Sequence, residues 1–287
     1  MMALPSPLPA DPMTFASSAG NVSYYADIHQ DGRPVLLLHS INAAAGAYEM
    51  RPLFEHYRTV RPTYALDLPG FGLSDRDDIV YSPELYAEVI TEFLQATMTG
   101  PVDIIALSLS CEFTAMVAVN HPERVNTLTF LAPSGMTDRP SLSKGFYDTI
   151  SFPLWGKGLF NLLVVRPSIR FFLNLVFVED IPEDYLKYAY DTTQQPGAHH
   201  APLYFVGGQL FMRDVRERFY NKIPVPVLVI YGDDPNVGFA KLPDLEAENP
   251  NFESVRFLNT NSMPHWDEHD ATVNQINQFW DKFAVAT

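Results

Sequence analysis

Residues 103–113 read Asp-Ile-Ile-Ala-Leu-Ser-Leu-Ser-Cys-Glu-Phe, and this stretch decides the fold. A short apolar run, Val102 with Ile104 and Ile105, stops at Ala106. Ser108 follows two positions later, and a helix-like stretch then runs to His121. Small residues, Ala106 and Ser110, stand two before and two after the serine. A strand–sharp turn–helix unit whose bend presents one hydroxyl needs such flanks, because strained backbone leaves no room for larger neighbours. Glycine is usual at both places, so alanine and serine are departures. The competing reading makes Ser108 an ordinary helix N-cap.

Outward from this unit the same alternation recurs. Apolar runs at 35–38, 64–68, 104–106, 128–131 and 227–231 read as strands buried on both faces. Helix-like segments at 47–56, 83–98 and 110–120 lie between them. Residues 13–28 could supply antiparallel edge strands, 254–258 a last strand, and 273–283 a closing amphipathic helix. Strands alternating with helices predict an α/β protein: a three-layer α/β/α sandwich with a mostly parallel central sheet.

The alternation breaks after Ser134. From about 140 to 218 the chain carries Phe146, Phe152, Trp155, Phe160, Phe171, Phe172, Leu175 and Phe177 at near-helical spacing. Pro153, Pro167, Pro182, Pro196 and Pro202 divide it into short pieces. The expected organisation is a core of 13–139 and 219–287 with an inserted helical cap lobe at 140–218. Its apolar side chains either pack on the core or line a pocket suited to an uncharged, lipophilic or aromatic compound.

Composition narrows the function classes. A formal charge of −15 leaves nothing to neutralise a nucleic-acid backbone and disfavours docking on anionic membranes. The single cysteine, Cys111, excludes internal disulfides and thiolate metal clusters, and reads as a small packed residue. No His-x-x-x-His helix supports zinc, and no basic cluster stands ready for phosphates. Residues 1–15 are proline-rich, without a basic region before an apolar core, and no apolar run approaches a membrane span. A cytoplasmic protein without a stable membrane anchor, a cofactor or a metal is the expectation. A small molecule is its expected partner.

A serine hydroxyl needs a base to take its proton, an acid to orient that base, and donors for the developing oxyanion. In an open parallel sheet these groups gather beyond the carboxyl ends of the strands. Ser108 stands there, and so does the turn His39-Ser40-Ile41-Asn42. The N–H groups of Ile41 and Leu109 are the candidate oxyanion donors, while His39 itself is better read as stabilising the turn. Asp233 and Asp234 follow the strand ending at Tyr231-Gly232, with Asp234 the preferred acid. His265 follows the last strand as candidate base, and His269 lies four residues on. Asp67, Gly70 and Gly72 read as a tight loop rather than as chemistry.

Taken together these motifs resemble the α/β-hydrolase superfamily. The resemblance rests on Leu-Leu-Leu-His-Ser at 36–40, Asp-Leu-Pro-Gly-Phe-Gly-Leu-Ser-Asp at 67–75 and the bend at Ser108. His-Pro-Glu-Arg-Val at 121–125, Val-Pro-Val-Leu-Val-Ile-Tyr-Gly-Asp-Asp-Pro at 225–235 and Pro-His-Trp-Asp-Glu at 264–268 complete it. It implies a cofactor-independent serine hydrolase with a cap, using Ser108, His265 and Asp234 on an ester or related acyl compound. Cleavage of a carbon–carbon bond or an amide uses the same parts. Three departures stand out: Ser40 for a glycine, Ala106 with Ser110 and Cys111 for glycines, and Ser262 at the usual histidine position. The last opens the alternative of a non-catalytic binding protein with a degraded triad. For a His265 base, the expected fall in activity lies near a pH of about 6.5 unless the site shifts it.

Overall fold

The structure is a computed structural model and describes residues 4–137, 144–151, 156–233 and 238–283. Eight strands form one sheet: β1 (Pro12–Ser17), β2 (Gly20–Asp27), β3 (Val35–Leu38), β4 (Thr63–Leu66), β5 (Val102–Leu107), β6 (Val125–Leu131), β7 (Val227–Tyr231) and β8 (Phe252–Arg256). Their spatial order is β1-β2-β4-β3-β5-β6-β7-β8. The β1–β2 and β2–β4 pairs are antiparallel and every other pair is parallel, so residues 13–28 do form the antiparallel edge.

Both faces of this sheet are covered, which explains the unbroken apolar runs. Leu36 and Leu38 of β3 join one core cluster, and Val35 and Leu37 join the other. All four are fully buried. The first face carries α2 (Pro83–Thr97) and α3 (Ser110–Asn120); the second carries α1 (Arg51–Tyr57) and the C-terminal helix α12 (His269–Asp281). Helix α2 begins where sequence chemistry places it: the Ser82 side chain accepts from the Leu85 N–H at 3.2 Å, and Pro83 opens the first turn. The segment 47–56 instead divides into a 3-10 turn, Ala47–Met50, followed by α1.

Two strands end or begin elsewhere than expected. β4 stops at Leu66, because Asp67 turns inward and its N–H donates to the Ser23 carbonyl at 2.9 Å. β8 starts at Phe252, two residues early. It is an edge strand whose middle is half-exposed, so no apolar run marks its start.

Between β6 and β7 the chain is helical: α4 (Lys144–Ile150), α5 (Gly156–Leu163), α6 (Arg166–Val176), α7 (Glu183–Thr193), α8 (His200–Val206) and α9 (Val215–Arg218). Pro182 precedes α7 and Pro167 lies in the first turn of α6, so these prolines start helices as well as ending them. Phe152, Pro153 and Trp155 lie outside the described residues. Helix α10 (Leu242–Glu248) follows β7, and the short α11 (Pro264–Asp267) precedes α12.

The topology selects one crevice. The chain leaves β3 toward β4 on one side and later returns to β5 on the other, so strand order reverses between β3 and β5. Leu38 pairs with Ala106 at the carboxyl ends of these strands. His39 and Ser108 therefore emerge side by side at the switch point, where open α/β sheets bind ligands.

Candidate active site at the switch point

Ser108 occupies the bend between β5 and α3 with φ of +55°, a conformation shared only by Ala132 and Asp214 among the described non-glycine residues. That is the left-handed region, which costs a residue with a Cβ about 1 kcal/mol or more. The surroundings hold it there. The Ser108 N–H donates to the Leu131 carbonyl at 2.9 Å, and its carbonyl accepts from Cys111 at 3.2 Å and Ser134 at 3.3 Å. The N-cap reading of Ser108 is thereby displaced: the cap of α3 is Leu109, and no side chain bonds there. The Ser108 hydroxyl has no hydrogen bond to a described residue and is half-buried.

The departures from glycine acquire a use. Ser110 is fully buried and its hydroxyl donates to the His39 carbonyl, tying the bend to the turn after β3. Cys111 packs beneath, its Sγ 3.2 Å from the Ala106 carbonyl, and burial pushes its thiol well above the ordinary range. It is a packed residue.

The turn 39–42 is held by a side chain that sequence reasoning missed. Glu49 is almost fully buried, and its carboxylate accepts from the Ser40 N–H at 2.7 Å, the Ser40 hydroxyl at 3.0 Å and the Asn42 amide at 2.8 Å. The serine that replaces glycine at position 40 is thus a donor to a buried carboxylate. Ile41, between two residues anchored this way, is fixed in orientation, and its N–H has no described acceptor. The N–H of Leu109, at the start of α3, has none either. His39 does stabilise the turn: its Nε2 accepts from the Leu68 N–H at 2.9 Å, so Nδ1 carries the proton and donates to Ser40.

His265 is not bonded to Ser108. Its ring is fully buried in α11, and Nε2 donates to the main-chain carbonyl of Glu49 at 2.7 Å. Trp266 Nε1 donates to the same oxygen, also at 2.7 Å. A carbonyl only accepts, so the proton sits on Nε2 and the open lone pair is on Nδ1, which has no described partner. Among the described residues no imidazole hydrogen-bonds Ser108. The expected Ser108–His265 contact fails because α11 turns the ring toward the 3-10 segment 47–50 and holds Nε2 there.

The acid expectations divide. Asp234 lies outside the described residues. Asp233 is exposed, its carboxylate paired with the Arg256 guanidinium and its N–H donating to Thr260 at 3.0 Å. The Asp233 carboxylate therefore serves a surface ion pair. Ser262 is buried in the loop before α11, and its N–H donates to Val176 of α6 at 3.1 Å.

Asp67 shapes the loop as expected, and does so as a hub. Its carboxylate accepts from the Tyr25 hydroxyl at 2.6 Å, the Ala47 N–H at 2.7 Å and the Leu73 N–H at 2.8 Å. A second unforeseen carboxylate, Glu112, is buried one turn past Ser108. It accepts from the Ser134 hydroxyl and, at 2.8 Å, from the Met212 N–H beyond α8. A signal for Glu112 existed: a lone carboxylate in a helix otherwise small and apolar has to be buried with donors.

Burial pulls the His265 imidazole down to about 4; the Glu49 carbonyl opposes this shift, and His269 adds to it. The folded chain refuses a proton that the unfolded chain accepts below about 6.5. The neutral ring therefore leaves stability intact above that pH and lowers it as pH falls toward about 4. From that difference the ring should account for roughly 3 kcal/mol of lost stability across the window. Urea unfolding of the wild type and of His265→Gln at matched pH values measures this as the difference between the two slopes. Identical slopes would refute it.

The sequence model of the Alpha/beta hydrolase family matches residues 35–275. The chain belongs to the α/β hydrolase family. A curated relative, 2-hydroxy-6-oxo-6-(2'-aminophenyl)hexa-2,4-dienoic acid hydrolase of Metapseudomonas resinovorans, is 24% identical over 78% of this chain and 74% of its own. The rat protein 1-acylglycerol-3-phosphate O-acyltransferase ABHD5 is 29% identical over 44% of this chain and 36% of its own. Among solved structures, the carbazole-degradation serine hydrolase CarC superposes with a TM-score of 0.75 at 18% identity, covering 94% of this chain and 99% of that one. The family assignment and the three-layer architecture agree with the sequence reading.

Proposed function

We propose that this α/β hydrolase is a serine hydrolase acting on a small lipophilic or aromatic ester or related acyl compound, with Ser108 as nucleophile. The observation that carries this reading is the +55° backbone at Ser108, a strained bend that lifts one hydroxyl, without a described partner, at the switch point. Two N–H groups without described acceptors, those of Ile41 and Leu109, accompany it as oxyanion donors. His265 is the proposed base. In the structure Nε2 is held by the Glu49 carbonyl and Nδ1 has no described partner, so this role requires the ring to turn from that carbonyl toward Ser108. Asp234 is the proposed acid, as the resemblance implies, and it takes that role only once the ring N–H leaves the Glu49 carbonyl for its carboxylate. In the proposed reaction the Ser108 oxygen adds to the substrate carbonyl while its proton passes to the imidazole. The ring returns that proton to the leaving group, and water releases the acyl group. The M. resinovorans relative is named as a hydrolase of a dienoic acid, which keeps carbon–carbon cleavage within the same reading.

One observation favours a second reading, a binding protein that keeps the fold without the catalysis: the His265 proton is committed to a carbonyl and its ring titrates at about 4. A fluorophosphonate probe separates the two. The hydrolase reading expects labelling of the wild type, with a rate steady from pH of about 8 down to about 5 and falling toward 4 as the ring protonates. A wild type unlabelled at every pH establishes the binding protein instead.

A further inference from the structure

The chain carries 34 acidic residues, yet none falls between Asp148 and Glu179. Within that gap stand Lys157, Arg166 and Arg170, all exposed. The same stretch holds α5 and α6, and there large apolar side chains face solvent: Leu162 is 71% exposed, Phe171 59%, Phe172 53% and Val165 44%. The apolar residues of α6 exceed its inward stripe. Ile169 is buried and Leu173 and Val176 pack on the core, which leaves the two phenylalanines over. No single helix among the described residues is long and apolar enough to cross a membrane. Helices α5 and α6, bent by 65° at their break, together reach the apolar length and composition of a span.

We infer that the α5–α6 pair is a docking surface for a lipid bilayer containing anionic phospholipid, on which the protein lies without spanning it. Exposed apolar surface beyond scattered single residues marks an interaction site, and the Phe171 and Phe172 rings meet at 5.5 Å. Apolar side chains interleaved with lysine and arginine suit the headgroup boundary, where the rings enter the acyl layer and the cations meet phosphates. The gap spares α5 and α6 themselves any acidic side chain in a chain of net charge −15, while Glu179, Asp180, Glu183 and Asp184 follow on the linker and on α7. A second copy of the chain is the competing occupant: a two-fold contact would bring Lys157 and Arg166 of both copies into one interface, which like-charge repulsion opposes wherever they lie near the axis. Arg170 is partly neutralised by Glu183 at 2.5 Å, which leaves Lys157 and Arg166 as the principal cations.

The test is co-sedimentation of the full chain with vesicles of equal parts phosphatidylcholine and phosphatidylglycerol, and with vesicles of phosphatidylcholine alone. The wild type should pellet with the mixed vesicles and release in high salt. The variant Phe171→Ser with Phe172→Ser should bind roughly tenfold less, its circular dichroism unchanged. Lys157→Glu with Arg166→Glu should lose the preference for the anionic vesicles while keeping both phenylalanines. Absence of binding to mixed vesicles, equal binding to both kinds, or full binding by the phenylalanine variant overturns the inference. So does a wild-type dimer in light scattering that the phenylalanine variant converts to monomer, since the face would then join copies of the chain.

Discussion

Ser108→Ala should abolish fluorophosphonate labelling and lower turnover of a p-nitrophenyl ester by about ten-thousand-fold or more, with little change in stability. The size follows from the proposed role. Removing the nucleophile of a Ser-His arrangement removes the covalent route and leaves only what binding and the oxyanion donors supply. Stability should hold because the hydroxyl bonds no described residue, and alanine retains the Cβ that the +55° backbone already accommodates. The measurements are labelling by gel fluorescence, initial rates, and the urea midpoint of the same preparation. Labelling that survives in the alanine variant would place the reactive hydroxyl elsewhere and remove the proposed nucleophile.

Gly72→Ala should be among the most destabilising single changes in the chain, at roughly 3 kcal/mol or more. Gly72 has φ of +52°, and a Cβ there would lie 1.9 Å from Asp67 Cγ, with both carboxylate oxygens within 2.1 Å. Asp67 has nowhere to go. It is fully buried, and the Tyr25 hydroxyl with the N–H groups of Ala47 and Leu73 surround its carboxylate. Displacing it would strand these donors without an acceptor. Gly100 is the control, because a Cβ there meets nothing within 4 Å. Gly100→Ala should stay within about 0.5 kcal/mol of wild type. Equal urea midpoints for the two variants would show that the loop yields, and that Asp67 is no hub.

The sheet was legible because its physics is local. Val35 to Leu38 and Val227 to Tyr231 are buried on both faces, so they must be apolar throughout, and both strands run as read. The bend at Ser108 was legible for a related reason: a strained backbone tolerates only small flanks, and such flanks can be read one residue at a time. β8 was placed two residues too late, because an edge strand is not obliged to be apolar. The helices between β6 and β7 were expected to turn their aromatics inward or toward a pocket. Phe171 and Phe172 do neither, since spacing on a helix shows which residues share a side, not what covers that side.

Sequence alone therefore determined the family, the layered sheet and the place of the serine, all properties of consecutive residues with a period of two or 3.6. The tertiary structure decided what the other groups do there. Glu49 looked like any acid at a helix start, and it holds the turn beside Ser108 only because the 3-10 turn 47–50 and the end of β3 meet in space. The direction of the His265 ring was equally beyond reach: residues 49 and 265 meet across more than two hundred positions, and one main-chain oxygen there settles which nitrogen keeps the proton.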